Sequence, residues 1–230
     1  MGKLITVAAS SVLIVALAAP ALAASPRELP MLAERSARND VTPHGDGPRP
    51  LQSATYTAKV FPTALRVSVP AGWRGGQGQS RRFKETTPAF GWIVLSQGTA
   101  AKAQGAITIV TAYGRTPSVA AVVANLRTGH GATYGPATPV KIAGFSGQQF
   151  DGSVGGQEHL FIPFSPRLHV ATFYGDAFAF DPGEVFRILT LDVRGKTVVV
   201  LLESAALPAD QFPAFLTSAG QILGPLRFQG

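Results

Sequence analysis

Cysteine is absent from the 230 residues. That removes disulfide staples, thiolate metal sites and cysteine nucleophiles together, and it leaves no cysteine to carry a lipid at a processing site. Charged residues make up only 14% of the chain, too few for long solvated helices. The four histidines, His44, His130, His159 and His169, include no pair spaced to put two ligands on one helix face. The glycines at residues 75–78 are not followed by Lys-Ser or Lys-Thr, which excludes a phosphate-cradling P-loop there. No cofactor motif is present, and the reading assigns no metal, no cofactor and no catalytic residue.

What is plentiful is glycine (25) and proline (18), which punctuate short strands rather than helices. The formal charge of +7 is spread along the chain rather than gathered in one stripe. This argues against a nucleic-acid partner and leaves an anionic envelope lipid or glycan, or a partner protein, as the class to consider. It fixes no oligomeric state.

Residues 1–24 read as an export signal. Lys3 supplies the positive start, residues 4–19 are almost wholly apolar, and Pro20-Ala21-Leu22-Ala23-Ala24 gives a helix breaker followed by small residues, so cleavage is expected after Ala23 or Ala24. No permanent membrane span then remains, and the protein works outside the cytoplasm; the competing reading is an uncleaved anchor. Residues 25–53, rich in proline and charge, are expected to form a linker, with a short helix over residues 28–38 on the spacing of Leu29, Leu32 and Ala33. Residues 54–230 form one domain.

Within it, residues 64–70, 90–97, 106–111, 139–143, 147–154 and 158–164 carry strand signals bounded by Gly or Pro. Residues 185–193 and 197–203 flank Arg194-Gly195-Lys196 as a hairpin. Thr116 is placed to cap a helix whose first residue is Pro117, with Val119, Val122, Val123 and Leu126 on one face and Gly129 ending it. A second helix over residues 209–223 has Phe212, Phe215, Leu216, Ala219, Ile222 and Leu223 as its apolar stripe. Seven to nine mostly antiparallel strands with two amphipathic helices make an α+β fold.

The strand end Ser68-Val69-Pro70-Ala71-Gly72-Trp73, together with residues 185–228, resembles exported actinobacterial proteins of the PsbP/Mog1-like α/β sandwich group. The resemblance covers residues 55–230 and implies a sheet scaffold used for binding proteins or lipids, with no shared catalytic residues.

Two stretches stand out as candidate contacts. Phe173, Tyr174, Phe178 and Phe180 crowd beside Phe161, Phe164 and Phe186, an apolar density that means either core or a binding groove. Arg74, Arg81, Arg82 and Lys84 surround Gly75-Gly76-Gln77-Gly78-Gln79-Ser80, read as a glycine-rich loop able to hold an anionic group. The function expected is a secreted or cell-surface, non-catalytic binding module for a hydrophobic or anionic ligand or a partner protein. The rival is a hydrolase pairing His159 or His169 with Asp151 or Glu158; a third reading lets an open sheet edge accept a partner strand. Gly144-Phe145-Ser146-Gly147 has Gln148 where a nucleophile elbow needs glycine and reads as a turn, and Asp176, Asp181 and Glu184 read as a solvated loop.

Overall fold

The computed structural model describes residues 25–32, 47–81, 88–99, 102–128, 131–156, 159–161, 164 and 178–229. The elements are β1 (Arg27–Glu28), β2 (Arg49–Pro50), β3 (Ala54–Ala58), β4 (Ala64–Val69), β5 (Arg74–Arg81), β6 (Pro88–Gly98), β7 (Ala103–Ala112) and α1 (Val119–Leu126). They continue with β8 (Ala132–Tyr134), β9 (Thr138–Ile142), β10 (Phe145–Val154), β11 (His159–Phe161), β12 (Phe178–Phe180), β13 (Val185–Val193), β14 (Lys196–Ala205), a 3-10 turn (Ala209–Gln211), α2 (Phe212–Leu223) and β15 (Arg227–Gln229).

Nine strands form one sheet in the order β2-β5-β6-β7-β14-β13-β10-β8, with β9 also paired to β10. Four more form a second sheet, β1-β3-β4-β15, and β11 pairs with β12. Every pairing within the large sheet is antiparallel, so this is the α+β sandwich that the sequence predicts.

Alternation along the strands builds two cores, one on each face of the large sheet. Val198, Val200 and Leu202 of β14 face the four-stranded sheet and α2, whereas Val199 and Leu201 face α1. The first core holds Trp73, Ile93, Ile109 and Phe215, with Leu65 and Val67 arriving from β4. The second gathers Phe90, Phe150, Phe180, Phe186 and the apolar face of α1. The layers therefore run small sheet, large sheet, α1. No helix among the described residues is long and apolar enough to cross a membrane.

The β13–β14 hairpin closes through Arg194 and Gly195, both at positive φ (56° and 80°), the two-residue turn whose twist matches its strands. Ala143 and Gly144 (52° and 87°) do the same between β9 and β10, so Ser146 stands on a strand and is no nucleophile elbow. Helix α1 starts later than expected. Its cap is Ser118, whose Oγ accepts from the Ala121 N–H, because the Thr116 hydroxyl is already taken by the Thr197 N–H.

Two segments differ more sharply from the sequence expectation. Residues 74–81 form strand β5 rather than a loop: Gly75 lies under Leu95 and Leu51, Gly76 under Leu32, and Gly78 under the Trp92 ring, so the absent side chains make room for neighbours. Residues 25–32 are no linker and no helix. β1 runs parallel to β3, Leu29 and Leu32 are buried, and the Leu32 N–H donates to the Gln77 carbonyl while the Gln77 N–H donates to that of Pro30. Leu51 is buried as well. The rest of the expected helix, residues 33–38, lies outside the described residues.

Candidate functional site: a cleft at the β13–β14 hairpin

The hairpin at residues 193–196 reaches across the large sheet to the loop that precedes α1. Lys196 holds that loop: its Nζ donates to the carbonyls of Ala112 (3.3 Å), Tyr113 (3.0 Å) and Gly114 (2.9 Å). The neighbouring Thr197 adds two bonds, its N–H to Thr116 Oγ1 (2.8 Å) and its hydroxyl to the Pro117 carbonyl (2.5 Å). Asp192 Oδ1 accepts from the Gly195 N–H (2.8 Å) and fixes the turn. A cationic side chain that satisfies three main-chain acceptors is worth more than neutral bonds of the same length.

These contacts shape an open cleft of about 890 Å³ between the loop, the first turn of α1, the start of β10 and the hairpin. Its lining is mostly apolar, with the polar side chains of Ser118, Ser146, Gln148 and Asp192 set into it. The cross-strand register sets Lys141 of β9 beside Ser146. Arg115 lies at the mouth, exposed, and forms no ion pair among the described residues. Tyr113 at the same mouth donates its hydroxyl to the Val60 carbonyl, and burial pushes its phenol above the usual value. Lys196 and Asp192 are thus spent on holding the cleft open, which leaves Arg115, Ser146 and Gln148 to face a ligand.

The aromatic candidates fall elsewhere. Phe180 and Phe186 are completely buried, with ring centroids 5.1 Å apart, and Phe186 also meets Tyr134 at 6.2 Å. They are core residues, a correction to the groove reading, because the end of β12 and the start of β13 pack into the core that α1 covers. Phe164 stacks on Phe90 at 5.8 Å. Phe178 and Phe161 lie on β12 and β11, and Phe173 and Tyr174 lie outside the described residues.

The basic candidates do not join them. Arg74 sits half-buried on β5, its Nε without a hydrogen-bond partner. The register places it in one cross-strand row with Ser96, Ala106, Glu203 and Phe186, so four strand spacings, roughly 19 Å, separate Arg74 from Phe186. Arg81 ends β5, and Arg82 and Lys84 lie outside the described residues.

Of the hydrolase pair, Asp151 is held by Arg187 through two bonds of 2.6 and 2.9 Å, and that partnership raises the arginine's pKa. A carboxylate so engaged is a poor orienter for histidine. His159 lies on β11, and His169 and Glu158 fall outside the described residues. Asp181 and Glu184 close the turn into β13, where the Glu184 carboxylate accepts from the Asp181 N–H.

Sequence reading missed two groups. Lys196 looks like an ordinary hairpin residue until the fold brings residues 112–114 beneath it. Glu203 ends an otherwise apolar run, and its pKa is pushed up to about 8 by burial and then by the charges of Glu184 and Asp181. Its place after Val199 and Leu201 on one strand face was the available signal.

No protein-family model matches the chain, and no curated protein matches it. Among solved structures it is similar to LpqN of Mycobacterium tuberculosis, described as involved in cell envelope biogenesis, at 18% identity, covering 72% of this chain and 83% of that one, with a TM-score of 0.37. It is also similar to the cyanobacterial PsbP of Synechocystis sp. PCC 6803, at 10% identity, covering 72% and 86%, with a TM-score of 0.38.

Proposed function

We propose that the chain is exported and serves outside the cytoplasm as a non-catalytic module that binds a small polar, anionic ligand in the cleft beside α1. Export follows from the signal-like residues 1–24. The observation that carries the binding reading is the division of labour around the cleft. Lys196, Thr116, Thr197 and Asp192 spend their polar atoms on the walls, while Arg115 forms no ion pair among the described residues and stands beside an open space lined by Ser146 and Gln148. A preformed pocket of mostly apolar lining with a few polar groups and a guanidinium at its side suits a carboxylate or phosphate on a small organic body.

The test is native mass spectrometry of the processed chain purified gently from its host's envelope fraction, side by side with Arg115→Ala and Gln148→Ala. The expected result is an added mass on the wild type that is reduced in both variants while their melting temperatures stay put. A wild type that carries no added mass, or an adduct retained equally by both variants, sinks the proposal.

A further inference from the structure

The four-stranded sheet turns one face to the core and one to solvent, as the alternating burial of β4 shows. Its outer face bears Thr55, Thr57, Ala64, Arg66, Ser68, Arg227 and Gln229, with no large apolar side chain. Register sets Glu28, Thr57, Arg66 and Arg227 in a single row across all four strands. Arg66 and Arg227 are therefore directly opposite one another, and both are exposed. Like charges in that relation repel at a Cβ separation of about 5 Å. Neither meets a carboxylate among the described residues: Arg227 donates only to the neutral carbonyl of Leu226, and the row's one acid, Glu28, is bound to Lys59 at 2.6 Å. Arg27 on the edge strand is in register with the buried Tyr56 and belongs to the other face. The outer face with Lys59 thus carries three cations, Lys59, Arg66 and Arg227, against the single carboxylate of Glu28.

The same sheet is the part of the fold nearest the apolar leader. β1 begins at Arg27, three residues beyond Ala24, a gap of about 10 Å at full extension. That is close to one screening length in physiological salt. While the leader occupies a bilayer, the start of β1 is tethered within that distance of the lipid headgroups. This tether rests on the export reading; the unneutralised arginine pair does not.

We infer that the outer face of the four-stranded sheet is a docking surface for an anionic phospholipid bilayer, with Arg66 and Arg227 sharing one headgroup phosphate. The contact is electrostatic and peripheral, since the face offers no apolar side chain to insert.

The test is co-sedimentation of the processed chain with vesicles of phosphatidylglycerol and phosphatidylcholine in equal parts, and with phosphatidylcholine alone. Binding is expected to the mixed vesicles in low salt, not to the neutral ones, and is lost near 0.5 M salt, where the screening length shrinks to a few ångströms. Arg66→Gln/Arg227→Gln should bind about thirty-fold more weakly and Arg227→Gln alone about five-fold. Removing a repulsive pair should leave the melting temperature of the double variant equal or higher, which separates lost docking from lost folding. The inference is overturned if the double variant partitions like the wild type, or if the wild type ignores the mixed vesicles. It is equally overturned if the wild type is held at that low salt by soluble polyglutamate but not by the vesicles, which would make the partner an acidic polymer.

Discussion

Phe180→Ala separates a core aromatic from a ligand contact. The Phe180 ring is wholly buried, lies 5.1 Å from that of Phe186, and belongs to the core between α1 and the large sheet. Truncating a buried phenylalanine costs about 3–5 kcal/mol, because transfer energy is lost and the cavity left behind closes only in part. Loss of an aromatic pair adds about 1 kcal/mol. Against a typical domain stability of 5–15 kcal/mol, that is a large fraction of the whole. In urea, with a slope of about 2–3 kcal/mol per molar for a chain of this size, the unfolding midpoint should fall by roughly 1–3 M. Intrinsic tryptophan fluorescence can report it, since Trp73 is buried in the first core and Trp92 packs against the second. A midpoint within roughly 0.4 M of wild type, about 1 kcal/mol, would show that β12 does not pack into the core in solution and would reopen the aromatic stretch as a binding surface.

Gly105→Ala should be more damaging than a methyl suggests. Gly105 has φ +90° and a Cβ there would run into the Phe215 ring, so a loss of roughly 2–4 kcal/mol is expected in the same urea titration. Lys196→Met removes the ammonium that binds three carbonyls; it should cost about 1–3 kcal/mol and speed hydrogen exchange at residues 114–118, measured by mass spectrometry. Glu203 sets a pH dependence. Its pKa rises from the model-peptide value to about 8, so the folded state holds a proton that the unfolded chain releases near pH 4.5. Its contribution is full below that pH and is lost as pH climbs to 8, so Glu203→Gln should gain on the wild type from pH 5 upward, with the gap constant above pH 8 in pH-resolved melts. A gap that narrows as pH rises would contradict this.

Elements whose signal is local were legible. The stripe of α2, the Arg194-Gly195 turn and the apolar runs of β6, β7, β13 and β14 follow from periodicity and turn chemistry. What escaped depends on partners distant in sequence. Arg74-Gly75-Gly76-Gln77-Gly78 reads as loop because glycine has low strand propensity, yet here Leu32, Leu51, Leu95 and Trp92 supply the bulk that those glycines lack. Residues 25–32 look like linker because Pro26, Pro30 and the charges mask Leu29 and Leu32, and only the main-chain exchange with Gln77 reveals them as part of the fold. The aromatic stretch was ambiguous by nature, since the alternation of Phe178 and Phe180 suits a groove as well as a core. Tyr134, Phe150 and Phe186 decide it for Phe180, and they come from three other strands. The cleft was invisible because its organising cation and the carbonyls it holds are more than 80 residues apart.

The seam between β7 and β14 pairs Val110 with Val199 and Ile107 with Leu202 at the middle of the large sheet. During synthesis, β5, β6 and β7 emerge before β14, and β7 must then wait through most of the remaining chain for its neighbour. Ala106-Ile107-Thr108-Ile109-Val110 is in that interval a β-branched strand with one bare edge, the kind of segment that recruits other chains. High contact order also makes closure of the seam slow. The strand that gives the finished domain its two cores is therefore also the last of the large sheet to arrive, and the edge of β7 stays open until Lys196–Ala205 comes through.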